Sequence, residues 1–260
     1  MRIYQIDAFT DQLFGGNPAA IVPLDTWLPD DLLQSIAAEN NLSETAFIVP
    51  KDKFNFHIRW FTPTIEVDLC GHATLAAAHA YYEHMNFSHH EMKFDSKSGP
   101  LTVRKEETNY ILNFPADQLK KAYEYNTEFE KILKTKVLES YQGKSDFMVV
   151  LANEEAVSSL QPDFLKLRQI PARGLIATAK GIEVDFVSRC FYPQSGINED
   201  PVTGSAHTTM VPFWAEKLTK NRLVAKQLSN RGGTLQCKYL GSRVEIGGNA
   251  VTFMIGDFKI

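Results

Sequence analysis

The sequence predicts an α+β protein of two pseudo-symmetric lobes, each with strands wrapped around one central helix. Three observations carry that prediction. Phe56-His57-Ile58-Arg59-Trp60-Phe61-Thr62-Pro63 recurs as Phe186-Val187-Ser188-Arg189-Cys190-Phe191-Tyr192-Pro193, with Phe, Arg, Phe and Pro at matching positions 130 residues apart. Each copy then runs through acidic residues into a glycine-led turn and a helix. The first reads Asp68-Leu69-Cys70-Gly71-His72-Ala73, the second Asp200-Pro201-Val202-Thr203-Gly204-Ser205-Ala206-His207. Third, the helix beginning near His72 is apolar almost all round (Ala73, Leu75, Ala76, Ala77, Ala78, Ala80, Tyr81, Tyr82), which places it inside a structure. A period this long exceeds the roughly 20–50 residues of solenoid repeats and marks a duplicated domain. The lobes are expected at 1–118 and 119–260, the last strand belonging to the second lobe or returning to the first.

In chain order, residues 2–9 and 20–24 read as strands around the turn Phe14-Gly15-Gly16-Asn17-Pro18, whose residue types favour tight bends. Residues 28–38 carry Pro29, Asp30 and Asp31 in a first turn, apolar positions 32, 33, 36 and 37, and Asn40-Asn41 at the end. That is a helix with both punctuation marks. Strands follow at 42–49 and 54–61, then the apolar helix, then a strand pair over 93–114 turning at Glu106-Glu107-Thr108-Asn109. The charged, helix-prone stretch 117–140 is expected to bridge the lobes. The second lobe repeats the plan: strand 146–152, helix near 162–169, strands 174–178 and 183–191, and a helix from about 205. Pro212 falls inside that last helix and predicts a short first segment with a bend. Hairpins over 229–240 and 242–255, turning at Gly232-Gly233, Gly241 and Gly247-Gly248, close the chain.

Bulk properties bound the function. The 260 residues are 44% hydrophobic, ample for two cores, and the net charge of −4 comes without any basic stripe. Nucleic acid therefore has no electrostatic case. The opening Met1-Arg2-Ile3-Tyr4-Gln5-Ile6-Asp7 meets an acid too soon for a signal peptide, and no apolar run approaches a membrane span. Three cysteines without a Cys-x-x-Cys pair suit reduced thiols and a cytoplasmic location. His84 and His89-His90-Glu91 lack metal-ligand spacing and read as solvated loop residues, so no metal is expected.

The chemistry is expected at the two glycine turns. Each offers unsatisfied N–H groups at a helix start, where donors and dipole together attract an anion or stabilise a forming enolate. Such turns are also ordinary structural devices. Their recurrence in register beside unlike polar residues, His72 and Ser205, favours the functional reading, with the two turns facing each other across one cleft. Glu44, within Leu42-Ser43-Glu44-Thr45-Ala46-Phe47, has Gly174 as its counterpart and so belongs to one lobe only. Burial on a strand among small and apolar neighbours would fit it for proton transfer near neutrality. His72 is read as a hydrogen-bond donor or second proton carrier, with His207 as its weaker rival. Asp200 is read as a group that orients an imidazole or holds a substrate amine or hydroxyl.

With those residues in view, the chain resembles the PhzF-like (phenazine biosynthesis-like) family. The matching motifs are Asp7-Ala8-Phe9-Thr10, Gly16-Asn17-Pro18, Leu42-Ser43-Glu44-Thr45-Ala46-Phe47, Cys70-Gly71-His72-Ala73-Thr74 and Asp200 through His207. The resemblance covers essentially the whole chain in order. It implies a diaminopimelate epimerase-like fold, two lobes each of a curved, barrel-like, mostly antiparallel sheet around a central helix, and a homodimer needing no metal or organic cofactor. It further implies Glu44, His72, Asp200 and Ser205 as catalytic residues, and Gly71, Gly204, Asn17 and Ala73 as substrate-binding ones. The expected activity is a cofactor-independent isomerase that moves a proton within a small cyclic or unsaturated carboxylic acid. A non-catalytic carboxylate-binding or regulatory protein on the same scaffold is the alternative. A racemase with two opposed thiols is disfavoured, because Cys70 has Pro201 where its partner would stand, and Cys190 is the counterpart of Trp60.

Overall fold

The computed structural model describes residues 1–260. The chain divides into two compact units, Met1–Asn113 with Gly247–Ile260, and Phe114–Ile246. Each is a curved, mostly antiparallel sheet around a central helix.

In the first unit, β1 (Arg2–Ala8) and β2 (Asn17–Pro23) precede α1 (Asp30–Asn40). β3 (Glu44–Pro50), β4 (Asn55–Phe61) and the short β5 (Glu66–Val67) lead into α2 (Gly71–His84), and β6 (Glu91–Ser96), β7 (Gly99–Glu106) and β8 (Asn109–Pro115) follow. Pro29 caps α1, acids fill its first turn, and Asn41 ends it in the left-handed region with its N–H on the Ala37 carbonyl. The bounds lie two residues beyond the expected ones. The stretch 93–114 holds two turns and parts of three strands rather than one strand pair, because Lys97-Ser98 turns the chain as tightly as Glu107-Thr108 does.

The second unit opens with β9 (Lys120–Lys121), a 3₁₀ turn (Tyr123–Tyr125) and α3 (Asn126–Leu133). β10 (Glu139–Gln142), β11 (Asp146–Val150), α4 (Glu154–Ser158), α5 (Phe164–Leu167), β12 (Gly174–Lys180), β13 (Phe186–Tyr192) and β14 (Ile197–Asp200) lead into α6 (Gly204–Leu218). β15 (Arg222–Gln227), β16 (Gly233–Tyr239) and β17 (Arg243–Gly248) complete it, and β18 (Ala250–Asp257) pairs with β1. The stretch 117–140 is therefore no bridge. Its helix is short, and Phe129, Ile132 and Leu133 pack into the second unit's own core with Phe147, Val149 and Leu175. Local charge and helix propensity suggested a connector between the lobes, and three apolar side chains decided otherwise. The final turn falls at Asn249, with Gly247 and Gly248 still in the strand.

The duplication is written into the strand order. The first unit runs β18-β1-β2-β3-β4-β6-β7-β8 and the second β9-β10-β11-β12-β13-β15-β16-β17. Both place one parallel pair at β2/β3 or β11/β12 and another at β4/β6 or β13/β15. The repeated Arg-x-Phe serves one purpose twice. Arg59 stacks over Phe61 and clamps Glu66 through Nε and Nη2 at 2.7 and 2.9 Å. Arg189 stacks over Phe191 and clamps Glu199 at 2.7 and 2.8 Å. A planar guanidinium supports stacking and a bidentate carboxylate bond together, which a lysine does not. The clamp ties β4 or β13 to the segment that leads into the central helix.

In α2, every residue from Gly71 to Tyr81 is buried. α6 buries Ala206, His207, Met210, Val211, Trp214 and Ala215, and it runs unbroken from Gly204 to Leu218 despite Pro212. The expected short first segment is not seen, since the helix continues through residue 212. Proline withholds the N–H that would reach the Thr208 carbonyl, but that carbonyl accepts the Asp117 N–H at 3.1 Å instead. No backbone acceptor is orphaned, so the helix continues.

Candidate active site

In the first unit, the site grows from the ends of β2 and β3 and the start of α2. Glu44 is the first residue of β3 and lies in register with Ala19 of the parallel β2. Two residues before Ala19, Asn17 opens β2 and is fully buried. It enters the strand from a loop in which Gly16 has φ +62 and a Cβ would strike the Ala8 carbonyl, so glycine is required there. Asp7 is buried, and its Oδ2 accepts the Phe14 N–H at 3.1 Å, which pins that loop.

Cys70 is extended and caps α2. Gly71 is the helix's first residue, and His72, the second, points back to the strand ends. Its Nε2 lies 3.2 Å from Glu44 Oε2, a close contact short of full hydrogen-bond alignment. Nδ1 lies 3.2 Å from Asn17 Nδ2 and 3.5 Å from Cys70 Sγ. Burial alone pushes the imidazole pKa down to about 3, so the ring is neutral at physiological pH. As oriented, the Asn17 amide donates to Nδ1, which leaves the ring hydrogen on Nε2, towards Glu44. Glu44 is 15% exposed in its side chain. It is therefore neither sealed in the core nor extended into bulk water. Ala73, fully buried, follows on α2.

Glu44, Cys70 and His72 place one potential metal donor each within 4.8 Å of one another. Within that cluster His72 Nε2 faces Glu44, and Nδ1 faces Cys70 and Asn17. The histidines read as solvated are occupied locally: His84 Nε2 meets Thr252 Oγ1 at 2.7 Å, and His89 Nδ1 meets the Glu91 backbone.

The second unit assembles its residues at the start of α6. Asp200, nearly buried at the end of β14, accepts the Thr203 hydroxyl at 2.5 Å. Gln227 reads the same turn from β15. Its Oε1 accepts the Thr203 N–H at 2.9 Å, and its Nε2 donates to the Asp200 carbonyl at 2.8 Å. Gly204 is the first residue of α6 and Ser205 the second. Ser205 Oγ accepts from Arg173 Nη2 at 3.2 Å, and Arg173 is itself paired with Asp146 through Nε at 2.8 Å and through Nη2. His207, the weaker rival, is core: fully buried, Nδ1 donating to the Thr203 carbonyl at 2.8 Å, and held at about 4 by burial.

Sequence reasoning singled out Glu44, His72, Asn17, Gly71, Asp200, Gly204 and Ser205. It missed Asp146, Arg173 and Gln227, which lie 24 to 59 positions from the turn that they support. Only strand register brings them there. For Arg173 a signal was present, since it immediately precedes Gly174, the residue already paired with Glu44.

Known proteins resemble the chain over nearly its whole length. The family model described as phenazine biosynthesis-like protein matches residues 6–256. A Pseudomonas aeruginosa protein named as an uncharacterized isomerase is 45% identical over 100% of this chain and 99% of its own. The crystal structure of a PhzF-family protein from Enterococcus faecalis superposes with a TM-score of 0.94 at 45% identity, covering 100% of this chain and 99% of the other. A hydroxyproline epimerase from Agrobacterium vitis, solved with bound trans-4-hydroxy-L-proline, shares the fold at a TM-score of 0.64 and 11% identity. It aligns over 98% of this chain and 90% of that one.

Proposed function

Because the chain belongs to the phenazine biosynthesis-like (PhzF) family, we propose that it is a cofactor-independent isomerase that moves a proton within a small cyclic or unsaturated carboxylic acid. The observation that carries this reading is the Glu44 carboxylate set 3.2 Å from Nε2 of a buried, neutral histidine. Glu44 takes a proton from a carbon α or vinylogous to the carboxyl group and returns it to another carbon. His72, with its hydrogen on Nε2, donates to Glu44 while that group is anionic and releases it when it becomes the acid. The N–H groups at Gly71 and Gly204 take up negative charge as it forms, and Asp200 and Ser205 hold the substrate's polar groups. General acid–base transfer supplies about 10²–10⁴-fold, and oxyanion-type stabilisation a comparable factor. An epimerase of the same fold solved with a hydroxyproline bound supports a small carboxylic acid as the substrate class. The expected homodimer is part of this reading, and sedimentation checks it.

Solvent deuterium exchange tests the assignment. Wild-type protein incubated with a panel of amino- and hydroxy-substituted cyclic acids should wash deuterium into at least one of them. Glu44→Gln should stop the exchange and keep the fold; full exchange in that variant removes Glu44 from the role. Ligand binding with no exchange in the wild type would favour the carboxylate-binding alternative. The two-thiol mechanism has little support, since Cys190 is fully buried and its thiol is pushed up by burial. Cys70→Ala should retain activity.

A further inference from the structure

The strand that starts with Glu44 in one unit starts with Gly174 in the other, 130 positions on. A side chain cannot stand at position 174: a Cβ there would fall on the Tyr192 ring and the Phe191 carbonyl. The charged group of the second unit is displaced by one residue, to Arg173. The parallel then extends to the helix. Glu44 meets His72, the second residue of α2, and Arg173 Nη2 meets Ser205, the second residue of α6, at 3.2 Å. The duplicated frame has kept the strand-to-helix contact and reversed the sign of the strand's charge.

Arg173 is also held more firmly than an ordinary surface arginine. Asp146, 3% exposed in its side chain, takes Nε at 2.8 Å and Nη2 as well. The guanidinium lies over the Tyr192 ring at 5.0 Å. A guanidinium has donors and no acceptor, so the Ser205 hydroxyl can only accept from it. The hydroxyl hydrogen must therefore point elsewhere. The bond from Thr208 Oγ1 goes to the Ser205 backbone carbonyl and makes no demand on Oγ. Ser205 is thus left as a donor, with the positive end of the Arg173–Asp146 dipole behind it.

We propose that Arg173, clamped by Asp146, is the positioning residue that fixes the Ser205 hydroxyl as a hydrogen-bond donor to the carboxylate of the substrate. This rests on the substrate-holding role given to Ser205 above and narrows the ligand class to anionic carboxylates over their neutral amides.

The test uses anthranilate and its neutral isostere anthranilamide as calorimetric probes of the full-length protein. Removing a charge-assisted hydrogen bond should weaken anthranilate about tenfold or more in Arg173→Gln, while anthranilamide changes less than about twofold. Arg173→Lys, which can still donate to both Asp146 and Ser205, should recover most of that loss. Because Arg173→Gln leaves Asp146 buried without its partner, Asp146→Asn/Arg173→Gln serves as a second variant and should show the same selective loss with a near-normal Tm. In a Ser205→Ala background, Arg173→Gln should add nothing, since the two act on one donor. The proposal is overturned if both probes weaken alike, if the losses at 173 and 205 add, or if the wild type binds no anthranilate. Arg173-dependent binding without deuterium exchange would leave the carboxylate site standing and remove the isomerase reading. Glu44-dependent exchange that ignores Arg173 would do the reverse.

Discussion

In the proposed proton transfer, the Asn17 amide donates to His72 Nδ1 and so leaves the ring hydrogen on Nε2, facing Glu44. Asn17→Asp keeps the shape but presents an acceptor to Nδ1. The ring hydrogen then moves to Nδ1, and Nε2 turns a lone pair on the Glu44 carboxylate. Exchange by the variant should fall about a hundredfold or more, with an unchanged circular dichroism spectrum; activity within a few-fold of wild type would show that the tautomer is irrelevant. Gly174 carries the opposite constraint. Gly174→Ala forces a methyl against Tyr192 and the Phe191 carbonyl and should cost about 1–3 kcal/mol in urea unfolding. A neutral result would mean that the strand end shifts freely. Glu44, His72, Asp200 and Ser205 were legible because each sits within a few residues of a glycine turn or a recognisable strand start. Asp146 and Gln227 were not, because a parallel pairing and a returning strand bring them in from elsewhere.

Among the elements, α6 shows how local propensity and tertiary context divide the outcome. A proline inside a helix ordinarily costs about 3 kcal/mol relative to alanine. Here part of that cost is offset, because Thr208's carbonyl has the Asp117 N–H, and Asp117 Oδ2 also accepts the Thr209 hydroxyl at 2.9 Å. Pro212→Ala should therefore stabilise by well under that figure, about 1 kcal/mol or less. Asp117→Ala should destabilise by about 1–2 kcal/mol. A gain of several kcal/mol from Pro212→Ala would mean that the helix is strained after all. The stretch 117–140 teaches the complementary lesson. Its charges dominate the composition, yet three apolar residues at helical spacing decide where α3 packs.

At the scale of the molecule, burial of neutral histidines couples the fold to pH. Burial holds His72, His79 and His207 at about 3, 4 and 4, against roughly 6.5 in an unfolded chain. Below that pH the unfolded chain binds more protons than the folded one. Their contribution is complete above about pH 6.5 and is lost as the pH falls towards 4. With three groups the slope approaches about 4 kcal/mol per pH unit near pH 5. Tm should drop steeply between pH 6.5 and 5, and His207→Gln should flatten the drop; a pH-independent Tm over that range would contradict the burial of these rings. The duplication was legible at this scale from one repeated strand motif, because Arg, Phe and Glu do the same work in both units.

The sequence by itself determined the duplicated α+β plan, the two helix starts and the one-sided carboxylate, since each is written in short-range patterns of apolar period, glycine and charge. Tertiary structure alone decided that His72 is buried and neutral beside Glu44, that α6 survives its proline, and that an arginine stands behind Ser205. Each of those depends on groups brought together by strand pairing and on the exclusion of water, and neither quantity exists until the chain has folded.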